Sequence, residues 1–113
     1  MKIRNNILTI YIGDDDPQTW LQETGKPILM PVLLETARDV INNNLEEKQA
    51  ARVETNLRGK KEALDFWVMY DGVDDTLDKV LQWALEEEKY ELCQEVKDLK
   101  EKLYENEDFS YRR

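Results

Sequence analysis

The chain has 113 residues, 41% hydrophobic and 36% charged, with a formal net charge of −9 and a pI near 4.5. That length accommodates one domain with a modest core, and the acidity argues against direct binding to a nucleic-acid backbone, which needs clustered Lys and Arg. With no histidine and a single cysteine, Cys–His and Ser–His catalytic pairs, His-based zinc sites and an intrachain disulfide are all excluded.

Ile3 to Ile12 alternates as a strand, with Leu8, Ile10 and Ile12 on one face and Ile7, Thr9 and Tyr11 on the other. Residues 1–6 lead into this alternation and not into a signal-peptide core. No apolar run is long enough to cross a bilayer. Together with the lone thiol, this predicts a cytoplasmic protein with no membrane partner. Gly13-Asp14-Asp15-Asp16-Pro17 ends the strand, and Asp16 before Pro17 reads as a helix cap. The three aspartates lack the alternation and distal Glu of a calcium loop, so capping is the better reading and no cofactor is expected. The short helix runs through Trp20 and Leu21, and Gly25 is expected to close it.

Pro31 is expected to start a second helix with Leu33, Ala37, Val40 and Ile41 as its apolar stripe. Asn42-Asn43-Asn44 supplies a C-terminal cap or turn, the alternative being that the helix continues to Gln49. Ala51, Val53, Thr55 and Leu57 then alternate with Arg52, Glu54, Asn56 and Arg58. After a turn at Gly59-Lys60-Lys61, the alternation resumes in Leu64, Phe66, Val68 and Tyr70, which describes a β-hairpin. Asp71-Gly72 breaks the second strand, and Asp74 or Asp75 is expected to cap the last helix.

The predicted fold is α+β: a small antiparallel sheet of about three strands packed with helices, ending in a long helix or helical hairpin. Residues 1–72 form the platform, residues 73–105 an acidic helical region, either part of the same unit or appended to it, and residues 106–113 a frayed tail.

Most of the acidity lies at the helical end: residues 73–108 carry 13 Asp/Glu against 5 Lys/Arg. Leu77, Val80, Leu81 and Ala84 make one apolar stripe, and Leu92, Val96, Leu99 and Leu103 a second, offset by roughly 70°. One bent helix or two short ones joined near Glu86-Glu87-Glu88-Lys89 accounts for the offset. Cys93, among Glu91, Glu95 and Leu92, reads as a packed thiol.

Residues 77–103 resemble a UVR motif, the short helical hairpin of an excision-repair helicase subunit, its nuclease partner, and activators and adaptors of stress proteases. Leu81, Ala84, Glu88, Tyr90, Glu91, Val96, Lys97, Asp98 and Leu103 carry the likeness. The family's small pair is replaced by Leu92-Cys93 or Cys93-Gln94, its arginine by Lys97, and an aliphatic position by Lys100. The resemblance implies protein docking and not DNA repair, since the rest of the chain has no helicase or nuclease features.

The expected function is therefore a non-enzymatic interaction module or adaptor. It would dock through Trp83, Tyr90, Val96, Leu99 and Leu103, with an acidic rim suited to a basic protein partner. Self-association through the coiled-coil spacing of the second stripe is a close variant. Secondary candidates are Trp67 and Met69, exposed if helices cover only one face of the sheet, and a basic patch of Arg52, Arg58, Lys60 and Lys61. The alternatives are an acidic inhibitor that mimics nucleic acid and a structural component of a virion or assembly.

Overall fold

A computed structural model describes the backbone of residues 7–111 and the side chains of residues 7–105. The order is β1 (Leu8–Tyr11), α1 (Pro17–Trp20), a π-helical turn (Leu21–Gly25), α2 (Lys26–Asn42), β2 (Glu47–Leu57), β3 (Lys60–Met69), a 3₁₀ turn (Tyr70–Gly72), α3 (Val73–Glu86) and α4 (Tyr90–Tyr111). The class is α+β. The part of the predicted first strand before Ile7 lies outside the described residues.

The hairpin forms where the period-two pattern places it. Leu57 pairs with Lys60 across a two-residue turn in which Arg58 (φ 57°) and Gly59 (φ 77°) are both left-handed, the arrangement whose twist matches flanking strands. β2 is the central strand. β3 runs antiparallel to it, with a bulge between Gln49 and Ala51, and β1 runs parallel to it, Ile10 opposite Val53. The sheet is therefore mixed and not purely antiparallel. A 35-residue connection through α1 and α2 carries the chain back to start β2 beside β1 in the same direction.

Asp16 caps α1 as expected, its carboxylate accepting from the Thr19 N–H at 3.1 Å, with Pro17 in the first turn. Gly25 does not end the helix. The chain stays helical to Asn42 by widening to a π turn just before Pro27, which has no N–H to donate to Glu23. Nor does Pro31 start a helix: it lies inside α2, on its exposed side. The asparagine turn does cap α2. Asn44 adopts φ 56° and the Leu45 N–H donates to the Val40 carbonyl at 3.0 Å, a Schellman closure. At α3, Gly72 takes the cap position and Asp74 and Asp75 fall in the first turn. The helix begins two or three residues earlier than expected because Val73 is needed, fully buried, in the core.

Residues 73–105 form two antiparallel helices. α3 closes as α2 does, with Glu88 at φ 59° and the Lys89 N–H donating to the Ala84 carbonyl at 2.8 Å. α4 continues past Asn106, where fraying is expected, because neither Gly nor Pro interrupts it before Tyr111. The rest of the expected tail, residues 112–113, lies outside the described residues. The hairpin is not an appendage. Val96, Leu99 and Leu103 pack with Leu77 and Val80 of α3, Leu34, Ala37, Val40 and Ile41 of α2, and Val68 of β3 in the main core. A second cluster joins Trp20 and Leu29 to Ala51 and Val53 of the sheet. All helices thus cover one face of the sheet.

Candidate protein-binding surface

The uncovered face of the sheet is set by the strand period. Ala51, Val53, Phe66 and Val68 point toward the helices, which turns Arg52, Glu54, Asp65, Trp67 and Met69 outward, with Thr9 and Tyr11 on the neighbouring strand. Trp67 is 48% exposed, Met69 47% and Tyr11 65%. No described helix lies over them. Trp67 and Met69 stand two residues apart on β3 and form the apolar end of the face.

The middle of this face is ionic. Arg52 donates from Nε to Glu54 at 3.0 Å and from Nη1 to both oxygens of Asp65 at 3.0 and 3.2 Å, while the Gln49 amide donates to Asp65 at 2.8 Å. Hydrogen bonding to Glu54, then the charge and hydrogen bonds of Asp65, push the guanidinium pKa up. Arg52 is thus locally neutralised and does not join Arg58, Lys60 and Lys61 in one basic patch. Those three sit at the exposed hairpin turn, four to six residues further along the hairpin from Arg52. A shallow groove of about 520 Å³ runs between them, lined by Tyr11, Arg52, Glu54, Lys61 and Ala63 among others.

The structure separates the residues expected to dock through the helical end. Val96 and Leu103 are at most 1% exposed and Leu99 7%, all in the main core. Trp83 is also buried, against Ala84 and Cys93, with the Lys89 ammonium 5.8 Å from its ring. Only Tyr90 projects, at 65% exposure. The second stripe therefore faces the protein's own α2 and α3 and leaves no seam for a coiled coil.

Sequence reasoning missed the clamp between α3 and α4. Lys100, the departure from the aliphatic position of the UVR pattern, pairs with Asp74 at 3.0 Å and with Asp78, and the Tyr104 hydroxyl donates to Asp74 at 3.1 Å. Desolvation opposes the charge on Lys100, but hydrogen bonds to Asp78 and Asp74 outweigh it and raise its pKa. The hydrogen bond from Lys100 lowers that of Asp74. The spacing Asp74/Asp78 at i, i+4 is the signal that pointed to it.

Among the described residues no group of three or more acidic or cysteine side chains is placed to hold a metal, and no helix is long and apolar enough to cross a membrane. A concavity of about 800 Å³ lies between α2 and the start of β2 and is bounded by Ile7, the first described residue. Compared with protein-family models, with curated proteins and with solved structures, the chain matches none. The likeness of residues 77–103 to the UVR motif thus rests on the sequence pattern.

Proposed function

We propose that this protein is a non-catalytic protein-binding module whose docking surface is the open face of the sheet around Trp67 and Met69. The observation that carries this reading is the half-exposure of both side chains, side by side, on a face that no described helix covers. Exposed Trp and Met are favoured at interfaces because they bury large apolar area. The helical region supports the platform from behind, so the UVR-like pattern contributes architecture and at most one anchor, Tyr90. The test is affinity capture with the wild type, Trp67→Ser/Met69→Ser, and Tyr90→Ala in parallel. Proteins retained by the wild type and by Tyr90→Ala but lost on the sheet variant support the reading. Equal recovery by all three, with the sheet variant folded, sinks it.

A second reading, an acidic inhibitor that occupies a basic surface, is favoured by one feature: Glu86, Glu87, Glu88 and Glu91 are all exposed at the α3–α4 turn. Neutralising the first three to Gln then abolishes binding to a basic target. Unchanged binding removes this reading.

A further inference from the structure

β3 ends the sheet, and no described residue pairs with its outer edge. Natural edges are blunted by Lys, Pro, bulges or a covering element. From Ala63 to Met69 this edge carries none of these. Its bulge lies on β2, and its one charge, Asp65, is held by Arg52. The hairpin turn makes Leu57–Lys60 a hydrogen-bonded pair, so alternate residues of β3 bond to β2. The backbone groups of Ala63, Asp65, Trp67 and Met69 are left directed outward.

We propose that the β3 edge pairs antiparallel with the β3 edge of a second copy, with Phe66 on the two-fold axis. A two-fold pair requires residues on the same face to meet, which leaves few registers. A dyad on Asp65 sets two carboxylates against each other. A dyad on Leu64 sets Lys61 against Trp67 and Lys60 against Val68. A dyad on Trp67 sets Asp65 against Met69 and carries Lys60 and Lys61 past the end of the strand, to the register of Asp74 and Val73 in α3. The dyad on Phe66 sets Leu64 opposite Val68, Ala63 opposite Met69 and Asp65 opposite Trp67, and brings exposed Lys61 against exposed Asp71 just beyond each end of the ladder. Of these four registers only this one sets Lys61 against a carboxylate, and the Asp65 that faces Trp67 is already held by Arg52. The pairing stands on the strand edge and is independent of what docks on the face above it. An edge contact alone buries less than the area of a standard stable interface, so association in the micromolar range is expected.

The test is sedimentation equilibrium of the full chain from low to several hundred micromolar. Wild type is compared with Ala63→Pro, Ala63→Lys, Lys61→Asp, Asp71→Lys and the double charge swap. Proline at 63 removes only an outward N–H, which an edge tolerates. If circular dichroism shows that variant unfolded, Ala63→Lys takes its place. The expected result is a dimer that both Ala63 variants abolish, that each charge reversal weakens about 10-fold, and that the swap restores. A monomer at every concentration, or a dimer indifferent to the Ala63 variants, overturns the pairing. A dimer lost with Ala63→Pro but indifferent to Lys61 and Asp71 overturns the Phe66-centred register.

Discussion

The indole of Trp20 occupies the space where a side chain at Gly25 would stand: a Cβ there would lie 2.5 Å from Cζ3 and 2.8 Å from Cε3 and Cη2. Five residues apart, the two meet because the helix widens by one residue per turn between them. Trp20 thereby reaches the sheet cluster while Gly25 stays buried beneath it. Gly25→Ala is expected to cost about 1–3 kcal/mol, the overpacking range, despite the better helix propensity of Ala. Combining it with Trp20→Leu recovers part of that loss. Urea unfolding of the four-member cycle checks this, and additive effects would count against direct contact.

Two left-handed residues that are not glycine offer stabilising changes. Glu88→Gly at the end of α3 and Arg58→Asn in the hairpin turn each relieve a Cβ held at positive φ. Each is expected to add about 0.5–1 kcal/mol, read as a higher melting temperature. Gly59→Ala, at φ 77°, goes the other way by a similar amount.

The α3–α4 clamp gives a pH signature. The Asp74 pKa is lowered from 3.8, so its contribution is present above that value and is lost as pH falls through the folded-state pKa. The Lys100 pKa is raised from 10.5, so its contribution is complete below 10.5 and is lost only at more alkaline pH. Because Asp74 is 45% exposed, Asp74→Asn is expected to cost under about 1 kcal/mol at neutral pH. The gap between variant and wild type closes in acid, once the pH has fallen below the lowered pKa of Asp74. Urea midpoints at both pH values check this, and a gap that persists in acid would mean that the ion pair does not cause it.

Val96 has no exposed surface and sits among Val40, Leu77 and Val80. Val96→Asp places a carboxylate there without a partner and is expected to cost more than about 3 kcal/mol, enough to unfold a small domain. Circular dichroism at room temperature is the check. A folded Val96→Asp would show that α4 lifts away from α2 and α3. Tyr90→Ala, by contrast, is expected to leave stability within about 0.5 kcal/mol.

Cys93 is buried against Trp83 and Ala84. A thiol reagent is expected to react with the native protein only through opening of α4, so labelling slows in proportion to stability. The Asp74→Asn variant should label faster. Rapid stoichiometric labelling of the wild type would show the thiol is accessible without opening.

Much of the fold was legible in the sequence where the signal was local. The alternation of Ala51, Val53 and Thr55 against Leu64, Phe66 and Val68, with glycine in the turn, marks the hairpin. The angular offset between the Leu77 and Leu92 stripes marks a bend or a break, and a break is found at residues 87–89. Local signals misled where a distant residue decides. Gly25 has the form of a helix stop, yet it is small because Trp20 lies over it. Pro31 has the form of a start, yet it sits mid-helix. Most of the candidate surface was hidden for a related reason. An apolar stripe such as Val96, Leu99 and Leu103 has the same spacing whether it faces its own core or another protein, and only the position of α2 distinguishes the two. The open side of Trp67 likewise depends on which face the helices choose.

The parallel pairing of β1 with β2 sets an order of events during synthesis. β3 comes two residues after β2 and can zip at once, whereas β1 must wait for the 35 residues from Ile12 to Glu46 before its partner strand exists. At ribosomal rates that delay is about 2–7 s. Closing so long a loop also costs more entropy than closing the hairpin. The first strand made is therefore the last to join the sheet, and on unfolding it is the first to leave.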